Sequence, residues 1–474
     1  MSEQVLPEGW EMVIGLEVHV ELATNTKLFC GCANSFGDEP NTNVCPTCLG
    51  LPGSLPVVNG QAVEFAMRLG RALGCTVAPA VFARKNYFYP DMPKDYQISQ
   101  YEEPTNEDGS LTLPDGRVVG IERAHIEEDT GKSTHLGGGG RIHDATATLV
   151  DYNRAGVPLV EIVSRPDMHD AESARAYVAE LRDILLATHV SDARMEEGSM
   201  RVDANVSVRP VGSDELRTRC EIKNINSLRS LGRAINYEAR RHVDLWESGD
   251  RPRQETRHWD EDGGRTTSGR SKEDAEDYRY FADPDLPPLA PSSEDVSSID
   301  ADLPTLPAAR RAALAEAAGV APADAVLAVE RGLDELALAT IGAGADGATV
   351  MKHVDQNLSE GAGALTAESF AALVGMENDG ALSSTQVKTV LGELVAKGGD
   401  PTAIASDMGF EAMDTGELDG LLDQLIADNP DEWGRFVEGD RKVQGFFVGQ
   451  IMKATQGKAD GKVVNQLMTQ RAQG

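Results

Sequence analysis

The chain has 474 residues and sets 44 Lys and Arg against 77 Asp and Glu, a net charge of −33. Such a charge excludes a protein that coats nucleic acid through its overall field, so any nucleic-acid contact must be local. An apolar share of 41% suits a globular core; the length suggests about three domains, and with no leader-like start and no run of roughly 20 apolar residues a cytoplasmic protein with no membrane partner is expected.

The first predicted element is Glu11–Leu22, EMVIGLEVHVEL. Met12, Ile14, Leu16, Val18, Val20 and Leu22 alternate with Glu11, Gly15, Glu17, His19 and Glu21, the pattern of a strand with one apolar face. Glu17 and His19 then project the same way, roughly 7 Å apart. Taken alone, that face could equally be a solvated surface. Next come Cys30 and Cys32 as Cys-x-Cys, and Cys45 and Cys48 as Cys-x-x-Cys, on a Gly/Asn/Pro-rich loop. Two close thiol pairs suit a structural zinc site, since four thiolates leave no open position for chemistry. Reduced knuckles without metal are the alternative. Cys75 and Cys220 stand alone as core thiols.

The spacing of Val63, Phe65, Ala66, Leu69 and Leu73 predicts a helix over Gln61–Leu73, with Gly74 as its stop. The following run packs Tyr87, Phe88, Tyr89, Tyr96 and Tyr101 among Lys85, Asp91, Lys94 and Asp95, with prolines that forbid long regular structure. It reads as a pocket wall or a packed loop. Gly131-Lys132-Ser133 imitates the end of a phosphate-binding loop, but Ile126 stands where the first glycine is required. Glu127, Glu128 and Asp129 just before it would repel phosphate and better suit a divalent cation. Gly137–Gly140 reads as a hairpin or loop insert.

Ala145–Val150 is strand-like, and VPLVEIV is an apolar run interrupted by Glu161. A carboxylate inside such a run costs several kcal/mol unless it is paired or metal-bound, so Glu161 has either an arginine partner, Arg154 or Arg165, or a metal. Ala171–Leu186 reads as a helix and MRVDANVSVR as a second alternating strand, with Asp203 and Asn205 on its polar side. CEIKNINSLRSLGRAINYEARR passes from strand into an Arg-rich helix, whereas Thr256–Phe281 looks like a charged loop. Asp283–Pro307 has the proline-rich composition of a boundary. Beyond it everything reads helical: a capping box at Ser383 and Gln386 opens a helix closed by Gly398, Leu418–Ile426 repeats the apolar stripe, and Pro430 starts another. The tail from Arg441 carries Lys442, Lys453, Lys458, Lys462 and Arg471 against only Asp460, a local basic surface.

The segments IGLEVHVEL, KNYFYPDMPKDYQISQ, HIEEDTGKS, DYNRAGVPLVEIV, MRVDANVSVR and EIKNINS together resemble the GatB family, the B subunits of the bacterial aspartyl/glutamyl-tRNA(Asn/Gln) amidotransferases, over essentially the whole chain. The resemblance implies an α+β protein: a mixed-sheet cradle over residues 1–292 with the kinase and transamidation site and a zinc knuckle, a helical domain over 293–405, and a small tRNA-binding tail over 406–474. It implies a ligase that uses ATP to phosphorylate the side-chain carboxylate of misacylated Glu-tRNA(Gln) or Asp-tRNA(Asn). Ammonia from a partner amidase (glutaminase) subunit then displaces the phosphate, and a small third subunit completes a heterotrimer. No amidase nucleophile motif is evident in this chain, as that division of labour requires.

Carried over from the resemblance, Glu17, His19, Glu128 and Glu161 hold Mg2+, and Lys85 and Lys94 line a passage for ammonia. Asn153, Arg154, Asp203, Asn205 and Lys223 contact nucleotide or acyl phosphate, and Cys30, Cys32, Cys45 and Cys48 match a zinc knuckle found in part of the family. Two rival readings are a tRNA-binding scaffold with catalysis elsewhere and an independent metal hydrolase.

Overall fold

Strand β1 (Trp10–Glu21) is central because its even-numbered side chains are all apolar: Ile14, Leu16, Val18 and Val20 are fully buried. The computed structural model describes residues 6–137, 145–269, 278–410, 415–437, 440, 443–455 and 461–473. In the first compact unit, up to Ala308, β1 is followed by helix α1 (Gly60–Ala72) and by β2 (Thr76–Val77), β3 (Ala83–Asn86), β4 (Tyr96–Ser99), β5 (Asn106–Thr112) and β6 (Val118–Glu128). Then come β7 (Lys132–Leu136), β8 (Ala147–Asp151), β9 (Pro158–Ser164), α2 (Ala171–Ala187), β10 (Met200–Pro210), β11 (Cys220–Ile225) and α3 (Leu228–Glu247). Strands β12 (Thr256–Asp260), β13 (Arg265–Ser268) and β14 (Phe281–Ala282) complete the set.

Nine strands form one sheet in the order β13-β12-β11-β10-β1-β9-β6-β5-β2. The pair β11–β12 is parallel and the other pairings are antiparallel, so the sheet is mixed. Its apolar face joins Leu69 and Leu73 by α1, Tyr177, Leu181 and Leu185 of α2, and Leu231, Ile235 and Val243 of α3 in one core. Helix α1 approaches β5 closely: a Cβ on Gly70 would stand 1.9 Å from Oδ1 of Asn106. The buried Asn106 amide donates to the carbonyls of Ala66 and Ala124, tying helix to sheet. A second sheet, β14-β3-β4, and the hairpin β7–β8 stand apart from the nine.

The stretch Thr256–Phe281, expected as loop, contains β12 and β13, and the expectation is corrected there. Arg257 and Glu238 explain it: the guanidinium packs 3.3 Å from a carboxylate of α3, so a charged strand is buried by ion pairing as well as by Trp259, its one contribution to the apolar core. The imitation phosphate loop runs into β7 and precedes no helix, and Gly138–Gly140 lie outside the described residues.

The regular structure from Ser293 onward is helical among the described residues, so the expected α+β class is observed. Helices α4 (Ser293–Asp302), α5 (Pro307–Ala318), α6 (Val326–Glu330), α7 (Asp334–Gly342), α8 (Gly347–Asn357), α9 (Ala367–Asn378), α10 (Ser384–Lys397) and α11 (Pro401–Asp407) are followed by α12 (Thr415–Asp428), α13 (Pro430–Val437), α14 (Gln444–Ala454) and α15 (Gly461–Gln473). Ser383 and Gln386 form the capping box of α10 and Gly398, at φ +70°, ends it. The second compact unit, from Ala309, holds two separate apolar clusters, one around Phe370, Val390 and Leu394, the other around Leu422, Phe447 and Met468. No single helix among the described residues is long and apolar enough to cross a membrane.

Candidate active site

The polar face of the large sheet gathers the chemistry. Register places His19 opposite Glu161 of β9 and Glu17 opposite Asp203 of β10, and Glu161 is in turn opposite His125 of β6. Directly opposed residues share a face, so four strands aim these groups at one another. His19 Nδ1 lies 3.2 Å from Glu127 and 4.0 Å from Glu161, and its Nε2 lies 3.8 Å from Asp203. His125 Nε2 is 3.5 Å from Glu161, and Asn205 donates to Glu17 at 2.9 Å. The ligand atoms of Glu17, His19 and Asp203, and those of His19, Glu127 and Glu161, form two overlapping sets, each within 4.8 Å.

Burial by itself would lower the His19 pKa, but Glu161, Glu127 and Asp203 reverse the effect and raise it to about 9. Burial would likewise raise the Glu127 carboxyl, yet His19, His125 and Lys85 hold it down to about 2. Burial lowers the His125 pKa against the opposing pull of Glu161 and Glu127, and its buried Nδ1 has no hydrogen-bond partner. The neighbouring Glu21 is lifted to about 7 by burial and by the charge of Asp129. His19 and Glu127 therefore face each other as imidazolium and carboxylate, and a divalent cation could take the place of the imidazolium charge.

Other expected site residues fall around this core. Lys223 donates to Asp203 at 2.7 Å. Arg154 binds the carbonyls of Thr130 and Gly131 and lies 3.4 Å from Asp129, which Arg201 also holds. Neither Arg154 nor Arg165 partners Glu161; Arg165 is paired with Asp108, so the histidines take that role. Asn153, in the turn after β8, ties down the cysteine loop: it accepts from Asn43 N and donates to Glu39 O.

Glu128 is not brought to His19. It follows Glu127 in a strand and so lies on the opposite face, where its carboxylate is bound by Lys94 and by the backbone N–H of Ile98. Lys27, Cys48, Lys94, Tyr96, Glu128 and Gly156 line a cavity of about 60 Å³ there. In the sequence Glu127 stands out only as part of an acidic run and His125 is not singled out; their i, i+2 spacing along a strand is the signal that could have set them on one face.

The four cysteines converge: Cys48 Sγ lies 3.4 Å from Cys30, 3.6 Å from Cys32 and 3.6 Å from Cys45. Tetrahedral thiolates around zinc at 2.3 Å stand about 3.8 Å apart, close to these spacings. Lys27, fully buried, points its amine at Cys48 Sγ, 3.7 Å away. In the C-terminal unit Arg471 is paired with Asp419 and Asp423. Arg441, Lys442 and Lys458 lie outside the described residues, as does the side chain of Lys462.

An acid-lined sheet followed by a helical region has a counterpart in known families. The family model described as the GatB/GatE catalytic domain matches residues 12–297, and that described as the GatB domain matches residues 347–471. Three curated relatives bear the name of the B subunit of aspartyl/glutamyl-tRNA(Asn/Gln) amidotransferase. That of Salinispora arenicola (strain CNS-205) is 49% identical over 99% of this chain and 97% of its own length. That of Mycobacterium sp. (strain KMS) is 49% identical over 97% and 95%, and that of Cutibacterium acnes is 46% identical over 99% and 100%. The chain belongs to this GatB family, and is thus one subunit of a ligase that acts on aminoacyl-tRNA.

Proposed function

We propose that the face around His19 is where the side-chain carboxylate of the misacylated residue, on Glu-tRNA(Gln) or Asp-tRNA(Asn), is activated by ATP before amidation. The observation that carries this reading is the convergence of Glu17, His19, Glu127, Glu161 and Asp203 on one half-buried surface. Phosphoryl transfer is mostly a matter of positioning and of neutralising charge. Four carboxylates supply the oxygen donors that Mg2+ takes, and the unpartnered Nδ1 of His125 leaves a further nitrogen at hand. Held by Glu17, His19, Glu161 and Glu127, the cation would neutralise phosphate oxygens and orient the transferred group. Lys223 and Asn205 fix Asp203 and Glu17, and Arg154 and Arg201 fix Asp129 at the rim.

Lys94 with Glu128, and Lys85 beside Glu127 and Glu161, suit a polar route by which ammonia reaches the site while bulk water is kept out. The ammonia comes from a partner amidase, in a cytoplasmic heterotrimer completed by a small third protein. Cys30, Cys32, Cys45 and Cys48 hold a structural Zn2+. Residues 1–292 form the catalytic cradle, 293–405 a helical domain, and 406–474 a tail that touches the outer part of the tRNA, Lys453 being exposed there.

The test uses the assembled amidotransferase with misacylated tRNA, ATP and a free ammonium source. His19→Ala and Glu161→Gln should lose phosphate transfer by about 10²-fold or more while still binding tRNA. Wild-type turnover in both variants sinks the reading.

A further inference from the structure

The chain and both substrates are strongly anionic, since ATP and tRNA must approach a cluster of carboxylates on a protein of net charge −33. The carboxylates of this face oppose any attraction between charges, whereas ring stacking does not depend on net charge. Beside the cluster stands an aromatic array that the proposed chemistry does not use. Tyr101 and Tyr280 are stacked, with centroids 4.4 Å apart and planes 12° from parallel. Tyr278 meets Tyr280 edge-on at 6.1 Å, and Lys85 Nζ lies 4.7 Å from the centre of the Tyr278 ring. Ser99 of β4, two residues before Tyr101, donates to Glu127 at 3.3 Å, which places the array at the edge of the site.

The array is built at a cost to the backbone. Arg279, between Tyr278 and Tyr280, is left-handed at φ +47°, a conformation that non-glycine residues adopt under constraint. The constraint is Asn86, at the end of β3, whose amide donates to the carbonyls of Tyr278 at 2.8 Å and Arg279 at 3.0 Å. Pairing of β3 with β14 on one side and β4 on the other brings Tyr280 and Tyr101 together. Tyr101 remains 44% exposed, so a further flat ring can extend the stack.

We propose that Tyr101, stacked on Tyr280 and held by the Asn86-supported turn at Arg279, is a platform for an adenine ring at the edge of the acidic site. Both substrates carry one: ATP, and the 3′-terminal adenosine that bears the aminoacyl group. The inference rests on the activation site proposed above, and it adds the part of the substrate that this wall grips. Tyr101 is a binding residue and Asn86 a positioning residue.

The experiment measures KM for ATP and, separately, for misacylated tRNA in the assembled amidotransferase. Tyr101→Ala should raise one of the two by about tenfold or more, Tyr101→Trp should restore it, and Asn86→Ala should raise the same KM by more than it lowers kcat. Which KM moves identifies the source of the adenine. In a second measurement on wild type, 2-aminopurine replaces adenine in the triphosphate and, in another sample, at the tRNA 3′ end; stacking quenches the bound probe that uses the platform. Unchanged KM values in a Tyr101→Ala protein of wild-type melting temperature overturn the platform, and so does the absence of quenching with both probes. If His19→Ala is inactive while both KM values in Tyr101→Ala stay put, only the platform fails. If His19→Ala is fully active, the activation site fails, and quenching still decides the platform.

Discussion

At the scale of single residues, adjacent carboxylates have opposite surroundings. Glu127 faces two imidazoles and Glu128 faces the Lys94 amine, because neighbours in a strand point to opposite sides of the sheet. Glu127→Gln should therefore abolish phosphate transfer from ATP with ammonium supplied free in solution. Glu128→Gln should keep that transfer and lose mainly the glutamine-dependent reaction, where ammonia must travel; comparing the two nitrogen sources in each variant measures the difference. Glu238 lends itself to a pH prediction. Burial would raise its carboxyl, but His242 at 3.2 Å, Arg241 and Thr266 hold it well below the carboxylate range. A depressed folded-state pKa stabilises above the unfolded value of about 4.3, and that stability is lost as pH falls toward the folded value. Melting temperature should fall on acidification below about pH 5 in wild type, and Glu238→Gln should start lower at neutral pH and show a shallower acid limb.

At the scale of elements, two features hold the first unit in register. Gly70 lets α1 approach Asn106, and the cysteine loop is anchored through Asn41 and Asn43 to the β8 end and the turn after it. That anchoring holds the four thiols together, so a metal bound by them would stabilise this region. Elemental analysis of the purified chain should find about one zinc. Cys48→Ser, which removes the sulfur nearest Lys27, should release the metal and lower the melting temperature; retention of full zinc would show that the loop does not need its fourth thiolate. Helices α1, α2 and α3 also carry local start signals: Asn59, Asp170 and Ser227 are polar side chains that cap the backbone N–H groups of these helices. The strand pair β12–β13 was not legible, because its burial depends on Glu238, distant in sequence.

At the scale of the whole molecule, the core of the large sheet and the helical clusters beyond Ala309 share no members. Units with separate cores unfold separately unless a strong interface couples them. Calorimetry should resolve at least two transitions, and Glu238→Gln should move only that of the first unit; a single transition that moves as a whole would mean the units unfold together. The acidity of the chain also becomes intelligible in part, since ion pairs neutralise many acids locally, as Arg471 does for Asp419 and Asp423. That pairing leaves fewer cations in the tail for phosphate than its composition implies.

Local patterns in the chain were enough for the two-faced first strand, the thiol spacing, the helix stripes with their caps, and a family resemblance that the comparisons bear out over nearly the full length. Which acids meet was decided in three dimensions. Along β6, Val119 and Ile121 are in the core, but an irregularity in the pairing with β9 between Ile121 and Arg123 shifts the alternation, so that Ala124 and Ile126 are the buried residues further on. Extending the first rhythm would turn Glu128 toward His19, whereas the bulge turns Glu127 there instead. Side-chain parity in a strand is set by its hydrogen-bonded neighbours, and one extra residue reverses it for everything that follows. No local pattern in HIEEDTGKS records a bulge placed six residues upstream of Glu128 by a partner strand forty residues away in sequence.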